Sequence, residues 1–202
     1  MAISSYLLQG PRVAIRHVCR QDYDELTVLA QDSAEMLQRW LGARDSTEAA
    51  FESRLQRFEQ PTHDGFVICL RSTGAIVGGV NINNIVRGTL QSGTLGYTAY
   101  ASTTGHGYMT EGLELLIQHA FGELGLHRLE ANIQPANTLS LALVKRLGFE
   151  REGYSTAFQF INGEWRDHER WAITAETAGE AAQPAGRRHL SGLQVISCHF
   201  DG

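Results

Sequence analysis

At 202 residues, 43% of them apolar, the chain is long enough to bury one core of ordinary size. Its net charge of −5 argues against a protein whose main business is gripping a nucleic-acid backbone, where a basic excess is expected. No run of about 18 apolar residues is available to span a bilayer, so neither nucleic acid nor membrane is an expected partner.

The amino-terminal MAISSYLLQGPR has neither the charged start nor the apolar block of a signal peptide. Cys19, Cys69 and Cys198 are scattered, odd in number and without metal-ligand spacing, which predicts reduced thiols, no bound metal and a cytoplasmic setting. Lys145 is the single lysine among 17 basic residues. Alternation over Arg12 to Val18 (RVAIRHV) predicts a first strand. Asp22 stands where an amphipathic helix carrying Leu26, Leu29, Ala30, Met36, Leu37 and Trp40 would start. A second helix is predicted from Ser46 to Phe58, with Phe51, Leu55 and Phe58 on one face. Gly65 to Arg71, Ala75 to Asn83 and Thr89 to Tyr100 are rich in β-branched and aromatic residues and read as an antiparallel meander.

Ser102 to Leu116, STTGHGYMTEGLELL, then carries the meander through a glycine-paired turn into an amphipathic helix, Thr110 to Gly122, whose buried stripe is Leu113, Leu116, Ile117, Ala120 and Phe121. Amides at a helix start have no intrahelical acceptor, and glycines let an anion approach them closely. The helix dipole adds about 0.3 to 1 kcal/mol per favourably placed charge. GHGYMTE lacks the Lys-Ser/Thr pair of a P-loop, and Thr110 stands where a dinucleotide turn needs its third glycine. Strand Arg128 to Gln134 completes a βαβ crossover with Thr89 to Tyr100, so these two strands are expected to be parallel. Asn137 reads as the N-cap of a short helix that ends at Gly148, and Asn162-Gly163 as a hairpin turn between strands Phe149 to Ile161 and Glu164 to Ile173. Residues 1–173 therefore form one α+β domain, a mixed sheet of about seven strands with helices on both faces. Residues 174–202 change to Ala, Gly, Glu and Pro and read as a flexible tail.

The turn and the Asn137 helix together resemble motifs A and B of the GNAT N-acetyltransferase superfamily. Motif A there, [RQ]-x-x-G-x-[GA], falls on Thr104 to Met109, with the first and last positions departing from the pattern. The series LGY, GHGYMTE, ELGLHRLEA, PAN, LGFEREG and INGEWRDH is similar to the Rim-type N-terminal acetyltransferases that modify ribosomal proteins, over roughly Pro11 to Ile173. The resemblance implies acetyl-CoA as cosubstrate and two parallel central strands that splay to admit its pantetheine arm. It places Tyr97, Thr98 and Ala99 along that arm, with the Ala99 NH as oxyanion donor, and wraps the pyrophosphate with Thr104, Gly105, His106, Gly107, Tyr108 and Met109. Asn137 is implied as a further pantetheine contact, with N-capping as its other reading.

Two residues that the resemblance would make catalytic are missing. Val144 stands where many members carry a thiolate-protonating tyrosine, and Gln159 where some Rim-type relatives carry a basic glutamate. Ser140, which matches a serine beside the coenzyme sulfur, is the replacement acid, to relay a proton or fix the thioester, or is simply a first-turn serine. Glu130 is the best remaining carboxylate for a base, directly or through water, with a solvent-facing strand residue as the other reading. Glu111 reads as a helix-start charge. Asp167 and His168 read as hairpin anchors that could line the acceptor cleft, and Trp40, Tyr97, Tyr100 and Trp165 as packing. His106 and His127 receive no proton-transfer role. Three functions remain open: acetylation of a protein N-terminus, acetylation of a small amine such as an antibiotic, amino acid or polyamine, and acyl-CoA sensing without turnover. The expected assembly is a monomer or homodimer.

Overall fold

Alternating apolar runs become strands wherever the sequence predicts them. The computed structural model describes residues 5–42 and 45–181. The elements run β1 (Leu8–Gln9), β2 (Val13–His17), α1 (Tyr23–Asp32), α2 (Ala34–Leu41), α3 (Glu48–Phe58), β3 (Asp64–Leu70), β4 (Ile76–Val86), β5 (Ser92–Ala99), α4 (Tyr108–Gly122), β6 (Arg128–Ile133), α5 (Thr138–Arg146), β7 (Glu150–Ile161), β8 (Glu164–Thr174) and α6 (Ala175–Ala181). The strands form one eight-stranded sheet in the order β1-β2-β3-β4-β5-β6-β8-β7, antiparallel except for β5 against β6. The extra strand over the expected count is the two-residue β1, too short to leave a periodic signal.

Strand pleating sorts the core into two layers. Phe66 and Ile68 of β3 pack with Leu113, Leu116, Ile117 and Ala120 of α4 and Val144 of α5 on one face. Val67 and Cys69, one residue out of step, pack with Leu26 of α1 and Phe51 of α3 on the other. The expected single helix from Asp22 is two, broken at Ser33. The buried Ser33 hydroxyl accepts the Ala101 amide at 2.9 Å and ties the break to the end of β5. Asp22 is held by Arg16 through two bonds of 2.8 and 2.7 Å and accepts the Cys19 amide, an ion pair in which both side chains are buried.

Asn162 and Gly163 both have positive φ, and β7 and β8 pair across them as predicted. The tail expected from residue 174 falls mostly outside the described residues, including the LSGLQVISCHF segment. Its first part corrects the predicted boundary: Ala175–Ala181 is helical, and Ala178 packs on the core beside β8. Among the described residues no helix is long and apolar enough to cross a membrane.

Candidate active site

The site begins with a failure of strand pairing. β5 and β6 are in register only over Ser92–Arg128, Gly93–Leu129 and Thr94–Glu130, although β5 continues to Ala99 and β6 to Ile133. Beyond that point they part, and the gap opens a cleft of about 650 Å³. The pleat assigns its walls. Tyr97 of β5 pairs with Val80 and shares the α4–α5 face, where it meets Asn137 and Ser140 of α5. Asn81, Asn83, Thr94, Thr98, Asn132 and Gln134 line the cleft as well. The side chain of Gln134 donates to the Trp40 carbonyl of α2, which places that set on the α1–α3 side. Trp40, Phe158, Phe160 and Trp165 form an aromatic mouth. Trp165, expected as packing, is exposed, with Phe160 edge-on to it at 5.6 Å. None of the described lining residues is Asp, Glu, Lys or Arg.

On the α5 wall the Tyr97 and Ser140 hydroxyls meet at 2.5 Å. Burial pushes the Tyr97 phenol up to about 12, against the opposing pull of the Ser140 bond. Asn137 is the N-cap, its side-chain oxygen accepting the Ser140 amide at 3.2 Å, and it lines the cleft too. Cap and lining are therefore one arrangement, because the cap fixes the turn that presents Ser140.

The glycine-paired turn lies at the start of α4. Gly105 and Gly107 have φ of 80° and 77°, the left-handed region that glycine enters without strain, and Gly107 is the N-cap. The amides of Tyr108 and Met109 begin the helix and have no intrahelical acceptors. Thr104 closes the turn by donating its hydroxyl to the Ala101 carbonyl at 3.0 Å, and His106 stacks on Tyr108. Tyr100, by contrast, is buried in the α1–α3 core layer.

Sequence reasoning missed the cations here. Arg12 donates to the His106 carbonyl at 2.9 Å, lies over the Tyr108 ring and pairs with Glu111 at 2.8 Å. Arg146 reaches Thr110 from α5 at 3.4 Å. Arg12 falls outside the motif-length windows that carried the sequence reading, and Arg146, inside the second of them, was read only as part of the short helix. Glu111 does more than answer the helix dipole: it accepts the amides of Arg12 and Val13 at 2.7 and 3.1 Å. Burial raises its pKa, but those amides and the Arg12 guanidinium outweigh burial and hold the carboxyl below its usual value.

The remaining polar residues sort cleanly. Glu130 does not line the cleft. Its carboxylate accepts from Arg128 at 2.8 Å, and Arg128 also grips Glu152, so this side chain has a structural partner where the sequence reading wanted a base. Val144 is fully buried in the core and Gln159 lines the cleft. Asp167 anchors the hairpin as expected. It accepts the Ala157 amide at 2.8 Å and the Tyr154 hydroxyl at 2.7 Å, holding a bulge at Ala157, whose φ is 47°. His168 is buried and lines the cleft. His127 bonds Glu176, away from the cleft.

A family model described as Acetyltransferase (GNAT) domain matches residues 12–150. The chain is 31% identical over 174 residues to the [ribosomal protein uS5]-alanine N-acetyltransferase of Escherichia coli (strain K12), covering 83% of this chain and 90% of that one. Mycobacterium smegmatis RimJ, solved in complex with CoA-disulfide, superposes with a TM-score of 0.77 at 30% identity over 85% of this chain and 91% of that one. The RimL ribosomal L7/L12 α-N-protein acetyltransferase in its apo form gives a TM-score of 0.77 over 86% and 96%, and at 19% identity it shares the fold alone.

Proposed function

Because the chain belongs to the GNAT acetyltransferase family and groups with its Rim-type members, we propose that it transfers an acetyl group from acetyl-CoA to the α-amine of a protein N-terminus. The observation that carries the acceptor class is the chemistry of the cleft: amides and hydroxyls inside, aromatic rings at the mouth and no carboxylate among the described residues of its walls. An extended peptide finds hydrogen-bond partners there. A polycation would find no countercharge, and binding charged ligands without one is costly.

The residues present fit the coenzyme. The turn from Thr104 to Met109, with Arg12 and Arg146 beside it, offers amides and positive charge to a diphosphate. β5 beyond Thr94 has no strand partner on its β6 side, so Tyr97, Thr98 and Ala99 offer free edge groups to an amide-bearing arm, with the Ala99 NH as oxyanion donor. Acetyl-CoA, when bound, supplies an activated acetyl thioester. Ser140, fixed by Asn137 and bonded to Tyr97, lines the slot and would stand beside the coenzyme sulfur, as the family resemblance implies. A thiol titrates near 8.5, about 3.5 units below the Tyr97 phenol, so outright proton donation would cost about 5 kcal/mol. The pair therefore stabilises the departing sulfur by hydrogen bonding and relays a proton from solvent.

Incubation with acetyl-CoA and peptides that begin with alanine or serine, against a panel of small amines, tests the reading through free-thiol release. Transfer to the peptides in preference to the small amines is expected. Transfer to no N-terminal peptide, or thiol release only with polyamines or antibiotics, would refute it.

A further inference from the structure

An amine that attacks a thioester must lose a proton, and among the described residues that line the cleft two ionise, Tyr97 and His168. Tyr97 is committed to Ser140 on the α5 wall. His168 stands elsewhere. On β8, Trp171 pairs with Ala131 and joins the α4–α5 core layer, while Arg170 pairs with Asn132. Two residues further along the same face, His168 therefore sits with Asn132 on the α1–α3 side, opposite the Tyr97–Ser140 wall. The two ionisable groups flank the slot from opposite faces.

The ring is set up to accept a proton. Its Nδ1 lies 3.0 Å from the Arg166 carbonyl, an atom that can only accept, so Nδ1 carries the hydrogen and Nε2 of the neutral ring keeps its lone pair. Only 2% of the residue is exposed, and Phe158 covers it with ring centroids 5.4 Å apart. Burial lowers its pKa below the ordinary value, against smaller opposing effects of the Arg166 carbonyl and Asp167, so the neutral form prevails at pH 7. Asp167 beside it is committed to Ala157 and Tyr154, and Arg170 shares its face. From the neighbouring strands and α2 the cleft contributes the neutral Phe158, Asn132, Gln134 and Trp40, with Tyr97 across the cleft.

We propose that His168 is the general base for the acceptor amine. The inference rests on the acetyltransferase reading above. The amine lone pair forms the C–N bond and the C–S bond breaks, its electron pair leaving with sulfur. Nitrogen, made acidic by the new bond, gives its proton to Nε2, which releases it to water. Sulfur takes a proton through Ser140, which Tyr97 and solvent replace.

The test compares His168→Asn and His168→Gln with the unmodified protein, using an alanine-initiated peptide and a series of acceptors whose amine pKa falls well below that of an α-amine. General-base catalysis contributes about 10² to 10⁴-fold, so kcat should fall by at least about 100-fold in both variants. Coenzyme A affinity by calorimetry should be unchanged, and the deficit should shrink for the weakly basic acceptors. The unmodified protein should lose kcat as pH falls through a single titration below 6.5, and the variants should lack that limb. A kcat within about 5-fold of the unmodified protein, or a deficit independent of acceptor basicity, overturns the proposal. Should neither variant fold, the unmodified protein decides: a kcat with no acid limb at any pH where the protein stays folded overturns it. No transfer by the unmodified protein would instead overturn the function reading.

Discussion

Replacing Glu111 with alanine should destabilise the protein by about 1 to 4 kcal/mol, and its hydrogen bonds are the source of the loss. One carboxylate accepts the Arg12 and Val13 amides and the Arg12 Nε–H. Val13 is fully buried, so its amide has no water to turn to, and an orphaned buried donor costs about 1 to 3 kcal/mol. The Arg12 side chain is half-exposed, so its ion pair contributes about 0 to 1 kcal/mol after screening, and water can take over its amide. Glu111→Gln keeps an acceptor for both amides and should cost only about 1 kcal/mol. The folded-state pKa lies below the unfolded one, so the contribution is complete above the usual carboxylate range and disappears as pH falls through the lower, folded value. The stability gap between the natural protein and Glu111→Gln should therefore be constant above about pH 5 and close below it. Urea unfolding with an unchanged m-value measures both effects. A loss under about 1 kcal/mol for the alanine variant, or a gap that widens in acid, would refute the reasoning.

Asp22→Asn leaves the Arg16 guanidinium buried without its countercharge and should cost about 3 to 5 kcal/mol, read by the same unfolding assay. Gly107→Val forces a β-branched residue into a left-handed N-cap and sets its Cβ 3.3 Å from Arg12, so coenzyme A affinity should fall at least about 10-fold by calorimetry. Tyr97→Phe and Ser140→Ala should each lower kcat, and the double variant should be little worse than either, because one hydrogen-bonded unit is lost once. With the phenol pushed up to about 12, kcat should show no alkaline loss from Tyr97 below about pH 10.

Much of this was readable in the chain because the strands are amphipathic and their turns carry strong local chemistry. Asn162-Gly163 announced its hairpin and Asn137 its cap. What escaped detection was non-local. Arg12 and Glu111 are nearly a hundred residues apart and meet only because β2 packs against α4. Glu130 looked available because a strand pattern reports which side a residue faces and not which cation waits there. Ser33 broke a helix that periodicity ran straight through, since its partner, Ala101, belongs to another element. One signal was present and unread: the alternation Asn81-Ile82-Asn83 sets polar side chains on one face of an otherwise apolar strand, and both asparagines line the cleft.

The short seam between β5 and β6 also bears on the mechanics of the molecule. Five strands lie on one side of it and three on the other, and three residue pairs join them. A guest chain lying in the slot would act as a ninth rung-bearing ribbon, adding backbone bonds past Thr94 to a seam that α4 and α5 already bridge through the shared core.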